Sequence, residues 1–296
     1  MCGTCGCGSE EGGVRILAPT LNQEGHGHSH DHNHDHTHGH DHHHHNHAHG
    51  HDHHHHHDHG HHHGHTHHHE TGEVTLAPNK KVIEVEQDVL HQNQMMASRN
   101  RGYFEALNIF ALNLVSSPGS GKTALLERTL KDLKEALQFY VIEGDQQTAN
   151  DANRIAALEV PVMQINTGKG CHLESDMVYE AVKQLNMTPD SILMIENVGN
   201  LVCPSMFDLG EQKRVVIIST TEGEDKPIKY PDMFHTSDVC VINKIDLMPH
   251  LNFDLQQLKD YALQVNPNLQ FFEVSATTGQ GMEAWYTWLK AQLKKS

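Results

Sequence analysis

The residues best placed to do chemistry form a glycine-rich loop, SSPGSGKT, at positions 116–123. An apolar run at 109–115 precedes the loop and is typical of a strand, and leucines at helical spacing follow it at 124–137. In a strand–loop–helix unit of this kind, backbone N–H groups point at a bound phosphate from the helix N-terminus. The sequence therefore predicts a nucleotide-phosphate site built on Gly119, Ser120, Gly121, Lys122 and Thr123.

Two side chains of this loop have separate predicted roles. Lys122 would neutralise charge on the β- and γ-phosphates, and Thr123 would hold Mg²⁺ through its hydroxyl. Loops of this kind usually begin with a glycine, and here that position is Ser116. The glycines of the tight turn, Gly119 and Gly121, are both present. We therefore expect phosphate binding to be little affected.

A second motif, NKID, predicts which base is bound. Asp246 would accept hydrogen bonds from N1–H and the amino group of guanine, which adenine cannot supply. The stem of Lys244 would lie along the base plane, and Asn243 would tie the motif to the phosphate loop. Ser275 and Ala276 follow a further predicted strand and would offer a backbone N–H to the base oxygen. Together these residues predict a site for GTP.

Two acidic residues end predicted strands close to the expected phosphate site. Asp145 would supply a Mg²⁺ ligand or position water, although a helix N-cap is an alternative interpretation. Glu196 would hold Mg²⁺ directly or through water, the alternative being a solvated strand end, and the Gly199 N–H would sense the γ-phosphate. Lys122, Asp145 and Glu196 are thus the predicted catalytic residues. We expect slow hydrolysis, because no arginine finger can be placed in the sequence.

Three groups of residues predict transition-metal binding, and the first is Cys2, Cys5 and Cys7 in the segment CGTCGC. The glycines let the backbone wrap three thiolates around one ion. If Met1 is removed, the Cys2 amine would complete a square-planar N/S field that suits Ni²⁺. A redox Cys-x-x-Cys pair is the alternative, but no βαβ pattern follows it.

The second group is Cys171, His172 and Cys203. Cys203 lies just beyond the segment expected to respond to the γ-phosphate, and the other two follow a turn after the third predicted strand. Thiolate and imidazole together suit Zn²⁺ or Ni²⁺, and three ligands leave a position for water, for metal transfer or for a second subunit. Any one of these residues alone would be assigned to the interior, as Cys240 is, in the middle of a predicted strand.

The third group is a histidine-rich tract at residues 25–69. It holds 28 of the 32 histidines, the other four being His91, His172, His235 and His250. The tract has no apolar periodicity, so we expect it to be disordered without metal. Its imidazoles would store several nickel ions weakly and release them below about pH 6.5. A purely solubilising role is the alternative.

Composition divides the chain into four predicted parts. Residues 1–24 carry the N-terminal cysteines and a linker, 25–69 the histidine tract, 70–83 a second linker, and 84–296 one nucleotide-binding domain. In this last part apolar strands alternate with helical patterns. That alternation predicts an α/β fold with a mostly parallel sheet flanked by helices, and with ligands at the carboxyl ends of the strands.

Charge and hydropathy argue against two kinds of partner. The formal net charge is −17, whereas a nucleic-acid partner requires a basic patch. No apolar stretch reaches membrane-spanning length and the N-terminus lacks the apolar centre of a signal peptide, so we expect a cytoplasmic protein. In that compartment the six cysteines are expected to be thiolate ligands or buried thiols.

These motifs, in this order, resemble the HypB family of P-loop GTPases of the SIMIBI class, which assist nickel insertion into nickel–iron hydrogenase. The resemblance covers CGTCGC and residues 105–295. It implies a GTP-dependent homodimer, a tight nickel site at Cys2, Cys5 and Cys7, and a weaker site at the second group near the dimer interface. Implied partners are the nickel metallochaperone HypA, the prolyl isomerase SlyD and the hydrogenase large-subunit precursor.

Three other functions stay open from the sequence. The nearest is a urease-type nickel GTPase, although the N-terminal cysteine motif favours the hydrogenase system. A passive nickel or zinc storage protein would leave the nucleotide domain without a role. A signalling GTPase with regulatory zinc is the third, and the histidine tract argues against it.

Overall fold

The structure is a computed structural model that describes residues 14–18, 80–146 and 150–293, with side chains in the first helix from residue 87 onward. Cys2, Cys5, Cys7 and the histidine tract at 25–69 lie outside the described residues. The predictions made for them, and the four-part division of the chain, therefore stay predictions.

The described strands form one eight-stranded sheet in the order β1-β4-β3-β5-β2-β6-β7-β8. β1 pairs antiparallel with β4, and every other pairing is parallel, which confirms the predicted fold class. The strands are β1 (Arg15–Leu17), β2 (Phe110–Ser116), β3 (Phe139–Asp145), β4 (Val162–Asn166), β5 (Ile192–Glu196), β6 (Lys213–Ser219), β7 (Val239–Asn243) and β8 (Gln270–Glu273).

Helices connect the parallel strands, as the alternating pattern predicts, except between β5 and β6, where the described residues form only the 3-10 turn Cys203–Met206. They are α1 (Lys80–Ala106), α2 (Lys122–Leu133), α3 (Asn150–Ala156), α4 (Ser175–Leu185), α5 (Lys226–Lys229), α6 (Pro231–His235), α7 (Leu255–Val265) and α8 (Met282–Gln292), with 3-10 turns at Cys203–Met206 and Ile245–His250. α4 has the predicted bounds. α2 ends four residues earlier than the predicted 137, since the next residues turn into β3. β1, α5 and α6 were not predicted, because each is too short to show a period.

Both faces of the sheet are buried, and alternate residues of β2 belong to different apolar clusters. Phe110, Leu112 and Leu114 pack with α2, α3 and α8, whereas Ala111 and Val115 face the side covered by α1, α4, α6 and α7. This period of two is the expected geometry of a parallel strand covered on both faces. Each fully buried leucine contributes on the order of 1.5–3 kcal/mol of transfer free energy. The sheet is therefore a rigid support for the loops at its carboxyl edge.

In the part of the chain that the structure describes, no helix combines the length and the apolar character needed to cross a bilayer.

Candidate functional site

The phosphate loop lies between the carboxyl end of β2 and the first turn of α2. Gly119 and Gly121 have φ values of 78° and 91°, in the left-handed region that favours glycine. Gly121 is the N-cap residue of α2, so the helix begins at Lys122. The loop lines a cleft of about 400 Å³ together with Glu143, Gly144, Asp145, Asp151, Arg154, Gly199 and Lys244. The fold thus brings the predicted phosphate loop, Asp145, Gly199 and Lys244 to one cleft.

Asn243, the last residue of β7, holds the phosphate loop through its side chain. Its Nδ2 donates to the carbonyl oxygens of Ser120 (3.1 Å) and Gly121 (3.4 Å). Its Oδ1 accepts from the backbone N–H groups of Lys244 (2.8 Å) and Ala276 (3.1 Å). The predicted contact between the NKID motif and the phosphate loop is therefore present, and one amide also joins the loop after β8.

Lys244 adds a second connection, because its Nζ donates to the carbonyl oxygen of Gly119 at 2.7 Å. Its backbone φ is 62°, an unusual conformation for a residue other than glycine. Asp246 follows in the half-buried 3-10 turn, outside the residues that line the cleft. The backbone N–H of Ser275 donates to Gln280 (2.8 Å), and that of Ala276 already has Asn243 as its acceptor. A bond from Ala276 to a base oxygen stays a prediction that requires the N–H to be shared.

A glutamate to which the sequence analysis assigned no role anchors the start of the phosphate loop. Glu222 accepts a hydrogen bond from the Ser117 hydroxyl. Its other oxygen accepts from the backbone N–H of Ser219 at 2.9 Å, at the carboxyl end of β6. The loop is thus tied to β6 through Glu222 and to β7 through Asn243, the next two strands on this side of β2. The local sequence around Glu222 carries no signal for this role, because its contact with Ser117 spans more than a hundred residues.

Three carboxylates meet beside Lys122 and Thr123. Oxygen atoms of Glu143, Asp151 and Glu196 lie within 4.8 Å of one another. Glu196 Oε1 accepts from Lys122 Nζ (2.6 Å) and from Thr123 Oγ1 (2.6 Å), and Thr123 Oγ1 lies 3.3 Å from Asp151 Oδ2. Of the predicted acidic residues, Glu196 belongs to this group, whereas Asp145 lines the cleft outside it.

The carboxylates have buried oxygens that suit a hard cation. Glu143 Oε2 and Glu196 Oε2 are buried with no hydrogen-bond partner among the described residues. Burial and the neighbouring Glu196 raise the pKa of Glu143 from 4.5 to about 8. Carboxylate and hydroxyl oxygens are the ligands that Mg²⁺ prefers. The residues present therefore fit a magnesium ion at Glu143, Asp151, Glu196 and Thr123.

Cys171, His172 and Cys203 lie together, as the sequence predicts for a metal centre. Their ligand atoms are within 4.8 Å of one another, and Cys171 Sγ is 3.7 Å from His172 Nδ1. Cys203 is buried at the start of its 3-10 turn, His172 is buried, and Cys171 is half-buried. Two thiols and an imidazole in one partly accessible cluster can bind Zn²⁺ or Ni²⁺.

Two side chains lie against the imidazole of this cluster, and neither was predicted; His172 Nε2 is buried and has no hydrogen-bond partner among the described residues. The ring of His172 stacks on Phe207 with centroids 3.9 Å apart. His172 Nε2 lies 3.5 Å from Glu174 Oε1. A carboxylate next to the second ring nitrogen is a common way to orient a histidine ligand. Three histidines expected to lie outside the site, His91, His235 and His250, are exposed.

Cys240 also agrees with its assignment to the interior. It is fully buried in β7, and burial raises the pKa of its thiol. A thiol that resists ionisation is a poor metal ligand. Of the three cysteines in the described residues, only Cys171 and Cys203 thus belong to the metal centre.

Comparison with known proteins agrees with this geometry. Residues 110–273 match the family described as CobW/HypB/UreG, nucleotide-binding domain. The hydrogenase maturation factor HypB of Rhizobium leguminosarum bv. viciae is 58% identical over 211 residues, which cover 71% of each chain. The HypB of Escherichia coli K12 is 53% identical over 213 residues, which cover 72% of this chain and 73% of the relative.

Two solved structures are similar along nearly their whole length. HypB from Archaeoglobus fulgidus superimposes with a TM-score of 0.65 at 36% identity, covering 69% of this chain and 99% of that protein. HypB from Helicobacter pylori, solved in complex with nickel, gives a TM-score of 0.65 at 36% identity, covering 69% and 96% of the two chains.

Proposed function

The chain belongs to the HypB family of hydrogenase maturation factors, and on that premise we propose that it couples GTP hydrolysis to the insertion of nickel into a hydrogenase precursor. It is a nickel-binding GTPase of the CobW/HypB/UreG group. Nickel is the cargo of this reaction, and GTP is its fuel. The alternatives left by the sequence are a urease-type nickel GTPase, a storage protein and a signalling GTPase with regulatory zinc.

The observation that supports the coupling most directly is the short path between two clusters. Glu196 binds Lys122 and Thr123 of the phosphate loop, and Cys203 of the metal centre follows it by seven residues. A change of the bound phosphate at one end of this segment would alter the position of a metal ligand at the other. A storage protein has no need for such an arrangement.

We propose the following roles in the nucleotide cleft. Gly119, Ser120 and Gly121 present backbone N–H groups to the phosphates, and Lys122 exchanges its bond with Glu196 for one with the γ-phosphate. Asp246 selects guanine. Mg²⁺, when bound, would offset phosphate charge, and Thr123 and Glu196, with Glu143 and Asp151 beside them, would hold it. The predicted roles of Asp145 as a ligand and of Ser275 and Ala276 at the base are kept as part of this proposal.

Metal transfer would use the two cysteine groups in turn. Cys2, Cys5 and Cys7 would bind nickel tightly, and Cys171, His172 and Cys203 would bind Ni²⁺ or Zn²⁺ more weakly. The histidine tract would store nickel. Proposed partners are a second copy of the chain in the GTP state, HypA, SlyD and the hydrogenase large-subunit precursor. Hydrogenase-related partners follow from the family, whereas these individual ones are inferred from the resemblance.

Hydrogenase maturation in cells without their own nickel-inserting GTPase tests this function. We expect Asp246→Asn and Cys203→Ala each to reduce nickel-dependent hydrogenase activity at least about tenfold. The first removes the carboxylate proposed to select guanine, and the second removes a proposed metal ligand. Cys240→Ala is the matched control, since it removes a buried thiol outside the metal centre. A storage protein would tolerate Asp246→Asn, and a urease-type factor would restore urease instead of hydrogenase.

A further inference from the structure

Asn197 has a side chain that joins the nucleotide cleft to the metal centre. It directly follows Glu196 and is fully buried. Its Oδ1 accepts from the backbone N–H groups of Leu173 and Val198, each at 3.0 Å. Leu173 directly follows the metal-centre residue His172. One amide oxygen therefore holds two backbone segments together: the one after Glu196 of the acidic cluster and the one after His172 of the metal centre.

The other end of the Asn197 amide is fixed by a polar residue inside β2. Asn197 Nδ2 donates to Asn113 Oδ1 at 3.2 Å, and Asn113 Nδ2 donates to Glu211 Oε1 at 3.1 Å. Asn113 is fully buried between Ala111 and Val115, on a face of β2 whose other positions are apolar. A buried amide is costly unless its hydrogen bonds are satisfied, so the polar side chain at position 113 is accounted for by this hydrogen-bond network.

The network ends on the turn that carries Cys203. Glu211 Oε1 accepts from two nitrogens of Arg214, at 3.1 and 3.0 Å. The same guanidinium donates to the carbonyl oxygens of Ser205 (3.0 Å) and Phe207 (2.8 Å). Ser205 lies in the Cys203–Met206 turn, and Phe207 stacks on His172. Both halves of the metal centre are thus attached to one buried chain of side chains.

A second contact packs the residue that follows His172 against β3, the strand that carries Glu143 and Asp145. The side chain of Leu173 packs on Gly144, which lies between Glu143 and Asp145, so closely that a Cβ at Gly144 would be 2.8 Å from it. A shift of Leu173 would therefore change its packing against Gly144 in β3. Movement of the Asn197 amide would thus affect both the backbone next to His172 and the strand that carries Glu143.

We propose that Asn197 is a positioning residue that, through Asn113, couples the occupancy of the nucleotide cleft to the geometry of the metal centre. The inference rests on the proposed function. Glu196 contacts the phosphate loop, and its shift on nucleotide exchange displaces the neighbouring amide and with it the N–H of Leu173. The coupling is reciprocal, so bound metal changes nucleotide affinity by the same factor as nucleotide changes metal affinity.

The test measures dissociation constants of the full chain for GDP and for a non-hydrolysable GTP analogue, with and without saturating Ni²⁺. The ratio of the values with and without metal is the coupling factor for each nucleotide. Cys203→Ala identifies the part of that factor that comes from this metal centre, because the N-terminal cysteines and the histidines are retained. Metal-free GDP affinity and thermal unfolding show whether each variant is folded.

We expect Asn197→Ala to bring the coupling factor close to one, as Cys203→Ala does, while nickel still binds. Asn113→Ala, which keeps the bonds of Asn197 to Leu173 and Val198, should reduce the factor about 2- to 30-fold. Asn266→Ala is the matched control, because this asparagine donates to the carbonyl oxygens of Phe234 and Ser237, away from both clusters.

Two outcomes would overturn the inference. A purely structural role predicts that Asn197→Ala changes the affinities with and without metal by the same factor, which leaves the ratio at its wild-type value. A wild-type ratio of one would mean that there is no coupling for Asn197 to carry. Neither outcome decides the proposed function, which the maturation assay with Asp246→Asn and Cys203→Ala judges separately.

Discussion

Glu143 shows how a single residue can reduce stability in exchange for a binding site. Its carboxylate is 2% exposed, has an oxygen without a hydrogen-bond partner among the described residues, and lies beside Glu196. The folded-state pKa is about 8, above the ordinary 4.5. The contribution of Glu143 to stability is therefore most favourable where this residue is protonated in both the folded and the unfolded state. That contribution becomes less favourable as the pH rises from about 4.5 to about 8, because only the unfolded chain ionises freely over that range.

Glu143→Gln should consequently stabilise the protein when nucleotide and metal are removed. Below pH 4.5 the free energies of unfolding should agree with wild type, and above pH 8 the variant should be more stable, by at most about 5 kcal/mol. Urea denaturation between pH 4 and pH 9 measures the difference. Glu135→Gln, at an exposed carboxylate, should show no such trend. A pH-independent difference at position 143 would contradict the prediction.

At the level of elements, the phosphate loop depends on a glycine that no other residue can replace without strain. Gly121 has a φ of 91°, and a Cβ built there would lie 2.5 Å from Asn243 Nδ2. A methyl group would push away the amide that holds the loop to β7 and to the loop after β8. The close approach of Gly121 to the Asn243 amide therefore holds the start of α2 against the loops that follow β7 and β8.

Gly121→Ala should weaken nucleotide binding by at least about tenfold, because both the loop conformation and the Asn243 contacts are lost. Gly102→Ala is the matched control. Gly102 lies in α1, and a Cβ there meets no atom within 4 Å, so this change should leave nucleotide affinity intact and add up to about 1 kcal/mol of stability. Titration with a fluorescent GDP analogue and thermal unfolding measure the two effects. Equal nucleotide affinity in both variants would refute the argument.

The same elements show what can be predicted from the sequence. The bounds of α4 follow from its apolar spacing, and β2 ends one residue beyond the apolar run predicted before the phosphate loop. The acidic cluster was only partly predicted, because Glu143 pairs with Glu196 through the register of β3 and β5, which are not consecutive in the chain. Local sequence contains no record of such a pairing. The contact between Asn113 and Glu211 is hidden for the same reason, since it joins β2 to the residues before β6.

At the scale of the whole molecule, β1 determines where the N-terminal segment leaves the sheet. Arg15 pairs with Asn166, the last residue of β4, so the chain before Arg15 departs at the carboxyl edge. Cys171 follows Asn166 by five residues at the same edge. The eight residue steps from Cys7 to Arg15 reach at most about 26–29 Å. The two proposed nickel sites are therefore joined by a short tether.

Lengthening this tether should slow nickel transfer between the two cysteine groups. Inserting about twenty Gly and Ser residues after Gly8 should lower the effective concentration about sixfold, since it falls roughly as the −3/2 power of length. The same insertion at residue 75 is the control, because it leaves the tether from Cys7 to Arg15 unchanged. Stopped-flow absorbance of the nickel–thiolate bands measures transfer. Equal rates for both insertions would exclude a role for the tether.

Pairing of β1 with β4 has a topological consequence for residues 19–79. β1 and α1 are the described elements on either side of these residues, and both belong to the sheet-bearing domain, so the intervening sequence connects two fixed points. The entropy of closing a loop grows only slowly with its length. Histidines can therefore be gained or lost between these two anchors at little thermodynamic cost. A single proteolytic cut between residues 19 and 79 would leave the N-terminal segment attached to the domain through the three residues of β1.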